Sequence, residues 1–234
     1  MGIDRGNINH SQFRWLHEQL RAAEADRKLV MVFAHHSLRT MDQPFPGPFP
    51  GDQGGRHEPV HFGEKHPVEP GPRPCAIRDP AAEPTSNETL RCLLLRHPSV
   101  VGFIAGHEHN NRIRPHERLD GTGRLTGGFW EIVTASHIDW PQQSRVLDLV
   151  DNLDGNLSIF ATMLDHGAPP NPGGAPPSDG RGRAGASVRR IASMSRELAY
   201  NDPDARNGED GRPDARGTRL DRNVELLVRD PYGP

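Results

Sequence analysis

Two short stretches carry the chemistry this sequence could do. His35-His36 closes the apolar run "KLVMVFA" (28–34), and Gly106-His107-Glu108-His109-Asn110 closes a second, "SVVGFIA" (99–105). Neutral imidazole is a common ligand for zinc, iron and manganese-type centres. A single loop histidine is ordinarily just solvated, and so, more often than not, is a lone His-His or His-x-His. Two such groups, each directly after a strand-like apolar run, make a shared metal site the stronger reading.

The elements that must position these residues follow from the same runs. Both are short, continuous and rich in valine, the pattern of strands buried on both faces. Between them, "SNETLRCLLLRH" (86–97) reads as a capped helix with Leu90, Leu93 and Leu94 on one face. Strand, helix, strand is the form of a parallel crossover, which sets two strands near each other and ends both at one edge of the sheet. In open α/β sheets, ligands bind in the crevice beyond those carboxyl ends. His35, His36, His107 and His109 are therefore expected at one rim.

The rest of the chain reads more plainly. "INHSQFRWLHEQLRAAEADR" is an amphipathic helix with Phe13, Leu16, Leu20 and Ala23 at helical spacing and Asn9 or Ser11 to cap it. Residues 39–86 form a long Pro/Gly-rich irregular loop, either a wall of the cleft or a solvated insertion. Alternating segments follow: "NRIRPHERL", then strands at 128–136, 144–150 and 157–164, the last two joined by a hairpin turn at Asp154-Gly155. Residues 167–186 read as a Pro/Gly linker, 187–200 as a helix, 201–222 as disordered and 223–228 as a small edge strand. Thus 1–166 would form the folded part and 187–234 a helix with a mostly disordered tail. His57, His61, His66, His116 and His137 carry no signal of their own, and His10 and His17 read as partly exposed helix positions. In "HIDWPQQ" (137–143), Trp140 and the proline are expected to shape a turn.

Composition narrows the function classes. The 25 glycines and 23 prolines, with 33 % hydrophobic and 6 % aromatic residues, describe a folded part with substantial loop. A formal charge of −3 supplies no field for nucleic acid or an anionic membrane, and no stretch is long enough to span one. Cys75 and Cys92 form no zinc-ligand spacing and could pair in an oxidising compartment. Met1 is followed by "GIDRGNINH" rather than a basic then apolar signal, so the compartment stays open.

"FAHHSL" followed by "GFIAGHEHNN" resembles the last motifs of the calcineurin-like metallophosphoesterases, and the surrounding text is similar to an actinobacterial branch of them. Further stretches carry the likeness: "GNINHSQFRWLHEQL", "GGFWEIVTASHIDWPQQSRVLDLVDNLDGNLSIFATMLDH", "SRELAYNDP" and "RNVELLV". The resemblance implies a four-layer α/β/β/α sandwich with two divalent ions of zinc, iron or manganese type, bridged by hydroxide and acting on phosphate esters. It matches His35, His107 and His109 to metal ligands and Asn110 to a residue often beside them. His36 is left as a substrate-facing or supporting residue, so His36 and Asn110 are the candidate catalytic groups.

The departures from that family pattern shape the expectation. Asp-x-His, Gly-Asp-x-x-Asp and Gly-Asn-His are absent; "GDQGG" (51–55) lacks the second aspartate and "GNINH" opens a helix. The chain is thus expected to be the carboxyl-terminal half of such an enzyme, a partial sandwich. Without bridging carboxylates it is expected to hold at most one ion, in a three-histidine site with an open position. It would be inactive alone, needing an amino-terminal half as partner. A metal-binding module without turnover, or an inactive interaction fragment, are the alternatives. Missing partners would leave an exposed strand edge or an uncovered apolar face.

Overall fold

The computed structural model describes residues 5–43, 59–65, 75, 78–170, 182–203 and 214–233, and the chain is mixed α/β. In order the elements are β1 (Ile8–Asn9), α1 (His10–Ala25), β2 (Val30–Phe33), β3 (Val60–His61), α2 (Leu90–Arg96), β4 (Val100–Ala105), β5 (Arg112–Leu119), β6 (Leu125–Val133), β7 (Gln143–Asp151), β8 (Asn156–Asp165), α3 (Gly182–Asn201) and β9 (Val224–Arg229). Asn9 starts α1 with a capping box: its side chain accepts from the Gln12 amide while the Gln12 side chain reaches back. Phe13, His17 and Leu20 form the buried stripe of α1, so His17 lies in the interior and not at a partly exposed position. Thr89 caps α2, which buries Leu90, Leu93 and Leu94.

The central sheet runs β2-β4-β6-β5, with β2 and β6 parallel to β4 and β5 antiparallel to β6. This is the crossover that the strand–helix–strand pattern predicts. Pairing steps from Val30↔Val100 to Met31↔Gly102, so Val101 is passed over. Bulged there, β4 turns Val100 and Phe103 toward α1 and α2 while Val101 joins the opposite cluster. That second cluster, Val101, Ile132, Leu157, Ile159, Leu226 and Val228, lies between the central sheet and a three-stranded sheet β7-β8-β9. Two helices, a four-stranded sheet and a three-stranded sheet therefore stack through two apolar cores.

Three expectations are corrected. β4 is buried as its apolar run predicts, but β2 is a sheet edge with its residues half-buried and Phe33 71 % exposed. Within the long loop, Val60–His61 pairs with Ile8–Asn9, and Cys75 is disulfide-bonded to Cys92 of α2. The segment from 214 to 222 is built into the framework rather than left as tail. Ala215 accepts from the Asn111 amide, Asp221 accepts from the Ile113 amide, and Arg145 donates to the Asp221 carbonyl. The Asp221 side chain thus satisfies a backbone group of the central sheet, a role composition cannot distinguish from solvation. The edge strand expected at 223–228 is β9, paired with β8. The linker expected at 167–186 ends earlier, since α3 begins at Gly182; its residues 171–181, like His57 and His66, lie outside the described residues.

Candidate metal centre

The histidine pairs leave the carboxyl ends of β2 and β4, which are hydrogen-bonded neighbours, so the loops start side by side. The Gly106 amide donates to the His35 carbonyl at 3.1 Å and extends the ladder one step into the loops. His35, His36 and His107 each present a ring nitrogen, and these atoms all lie within 4.8 Å of one another. Nδ1 of His107 is 3.2 Å from Nε2 of His35, and the His36 and His107 ring centroids are 4.0 Å apart. Nε2 of His107 is buried without a hydrogen-bond partner among the described residues. Three imidazoles converging this closely, with one buried nitrogen unmet, form a donor set suited to a borderline cation.

Backbone geometry explains how the loop after β4 alternates its side chains. His107 (φ 66°) and His109 (φ 49°) both occupy the left-handed region, which disfavours residues with a Cβ. Between them Glu108 is fully buried. Its carboxylate accepts from Ser37, from Arg39 at 2.8 Å and from Arg112 at 2.5 Å. Burial alone would raise the Glu108 pKa, but Arg112, then Ser37 and Arg39, outweigh it and hold the carboxyl below its ordinary value. Since Ser37 and Arg39 follow the His35-His36 pair directly, one carboxylate ties both histidine loops together. His36 is fixed from two further sides. Its Nδ1 is 3.3 Å from the Thr40 hydroxyl, and its ring lies so close to Gly6 that a Cβ there would fall 2.5 Å from Cδ2.

The residues expected at the site divide into two groups. His35 and His107 lie in the cluster together with His36, which the family resemblance had placed outside the ligand set. His109 lies apart from that trio and sets Nδ1 against a carboxylate oxygen of Asp139. Asn110 is fully buried, and neither atom of its amide has a hydrogen-bond partner among the described residues. Sequence reasoning missed Glu108, read only as the spacer of His-x-His, and Asp139, read as part of a turn. "HEH" and "HID" contain the signal, an acidic residue beside each histidine, but spacing does not say which carboxylate faces inward.

Comparison with models of known protein families and with curated protein sequences gives no match. The donor set then decides what the cluster can hold. Among the described residues, the grouped ligands are three imidazoles and no carboxylate. Such a set suits one divalent cation with an open position, and leaves the mutual repulsion of two cations without an offset.

Proposed function

We propose that this chain carries the histidine half of a metal-dependent phosphoric ester hydrolase of the calcineurin-like type. The observation supporting the reading is the trio His35, His36 and His107 beyond the ends of two adjacent parallel strands, with ligand atoms within 4.8 Å of one another. His35, His36 and His107 would hold one zinc, iron or manganese-type ion. When bound, that ion would polarise a phosphoryl oxygen and lower the pKa of a coordinated water. The chain's own contribution is to aim the imidazoles and keep them aimed through Glu108. In-line hydrolysis with two cations needs carboxylates that the described cluster lacks, so turnover awaits a polypeptide supplying Asp-x-His, Gly-Asp-x-x-Asp and Gly-Asn-His. In this reading the stacked layers belong to a four-layer α/β/β/α sandwich, and the outer face of β7-β8-β9 is where its remaining helical layer rests.

A second reading, a single-metal binding module without turnover, is favoured by the all-imidazole donor set. One experiment covers both. Zinc, manganese and iron(II) are titrated into the chain, and hydrolysis of bis-(p-nitrophenyl) phosphate is followed with and without the complementing polypeptide. One equivalent of metal, lost in His107→Ala, with hydrolysis only in the complemented sample, supports the hydrolase. One equivalent with no hydrolysis in either sample supports the module. Absence of metal uptake overturns both.

A further inference from the structure

We propose that the cavity between α2 and the hairpin of β5 and β6 binds a soluble amphipathic anion, one carboxylate, sulfonate or phosphate head on an apolar body. The site is separate from the histidines and does not depend on them. Those leave the carboxyl ends of β2 and β4, whereas the cavity is bordered by Pro98, ahead of β4, and by Leu119, which pairs with Leu125 at the start of β6.

Shape and lining give the body of the ligand. The cavity encloses about 1170 Å³, somewhat above the roughly 300–1,000 Å³ usual for small-molecule sites. Leu95, Pro98, Pro115 and Leu119 supply apolar walls, and the disulfide-bonded pair Cys75 and Cys92 lines the cavity with them.

Charge gives the head. Set among those walls are Arg78, Arg91, Arg96 and Arg118, in a chain whose formal charge is −3. The carboxylates nearby do not match them. Glu88 is divided between Arg78 and Arg96, at 3.4 Å from each. Asp120 directs Oδ1 to the amides of Thr122 and Arg124, and Glu117 is exposed. Arg118 makes no ion pair among the described residues and donates only to the carbonyls of Leu95 and His97. Arg96 is 4 % exposed, and its Nη1 has no hydrogen-bond partner among the described residues. Burial lowers the pKa of Arg96 despite Glu88, and that of Arg118 despite Glu24. Guanidinium charge that the carboxylates in reach do not offset is stabilised by an anion, and the planar fork of arginine suits carboxylate and phosphate-like oxygens.

The test uses the full chain and two matched probes, anilinonaphthalene sulfonate and phenylnaphthylamine, which has the same rings without the sulfonate. Fluorescence titration should show saturable binding of the sulfonate, with the neutral probe roughly 10-fold weaker. Arg118→Gln, which keeps a donor for the helix-end carbonyls, should weaken the sulfonate by roughly 10-fold and the neutral probe by less than about twofold. Leu119→Glu, at a side chain 43 % exposed, sets a carboxylate in the lining and should weaken the sulfonate more than Leu119→Gln does. Thermal unfolding identifies a variant that misfolds, and Leu119→Glu then decides in place of Arg118→Gln. Equal affinity for the two probes, no saturable binding of the sulfonate, or sulfonate affinity unchanged in both variants overturns the inference; the last is the result expected if the probe sits on the outer face of β7-β8-β9. The chain should stay in the supernatant when phosphatidylglycerol vesicles are pelleted. Pelleting that Leu119→Glu abolishes would overturn the assignment to a soluble ligand.

Discussion

At the scale of single residues, the site depends on two small features that place large rings. Glu108 is a buried carboxylate between two arginines, one of them, Arg112, itself only 3 % exposed. Removing the acid would take from the buried Arg112 the carboxylate it pairs with, while Arg39 is a third exposed and meets water, and breaking a buried pair from one side typically costs about 3–5 kcal/mol. Glu108→Ala is therefore expected to lower unfolding stability by that order in urea titrations, and to weaken metal binding as the two histidine loops come apart. A loss below about 1 kcal/mol would show that Arg112 finds water instead. Gly6 works by absence, since a side-chain carbon there would overlap the His36 ring. Gly6→Ala should displace that ring and reduce metal affinity several-fold while changing the melting temperature little, because Gly6 lies in the segment before α1 and outside both apolar cores. Calorimetric titration of zinc into the two proteins checks it.

At the scale of elements, what the sequence reveals depends on how local the cause is. The crossover was legible because "KLVMVFA" and "SVVGFIA" are continuous apolar runs flanking a capped helix, and chain chirality leaves few ways to join them. The absent family motifs lead to the expectation of an exposed strand edge, but which strand carries it was not legible from the runs, for a strand buried in a larger sheet and one left at its border can share a composition. His17 was misread for a related reason: a polar residue on a helix gives no sign of its partners until the helix is packed. It sits beside His97 (Nδ1 to Nε2, 3.2 Å) and accepts from Arg96 at 3.2 Å, joining α1 to the end of α2. Burial, then the charges of Arg96 and His97, push its pKa from 6.5 down to about 4. A base whose folded pKa lies below its unfolded value takes up more protons when unfolded, so stability falls as pH drops from about 6.5 toward 4. The full shift corresponds to roughly 3 kcal/mol. Glu131 acts in a lower window. Burial raises its pKa, but hydrogen bonding from His116 and the charge of Arg114 prevail and bring it to about 2, so its contribution fades between about 4.5 and 2. Urea titrations across pH should show an upper and a lower decline, and His17→Gln should shrink only the upper one, to which His166, lowered by burial, also contributes. A single decline centred near pH 4.5 would refute the assignment to His17.

At the scale of the whole molecule, the chain exposes apolar surface in two places where a folded unit of this type would ordinarily cover it. One is the edge of β2 that no strand among the described residues pairs with, where Phe33 is mostly exposed. The other is the outer face of β7-β8-β9, where Val146, Val150, Phe160, Leu164 and Leu227 are exposed, Phe160 and Leu227 alternating with buried residues of β8 and β9. The two-residue period of a strand makes this face readable in principle, yet alternation identifies only one buried side and does not say whether the other meets water or a partner. An unpaired parallel edge and an apolar sheet face are both surfaces that proteins normally blunt with charge, bulges or a covering element. Purified alone, the chain should therefore self-associate with rising concentration. Placing lysine at Phe33 and Leu227, both mostly exposed, should suppress that association while shifting unfolding stability by only about 0.5 kcal/mol each. Sedimentation velocity over a concentration series separates the cases. If the double variant associates as strongly as the parent, the contacts lie elsewhere. If association disappears but a complementing polypeptide also no longer binds, the same two surfaces serve both encounters, and the edge and face are where the site is completed.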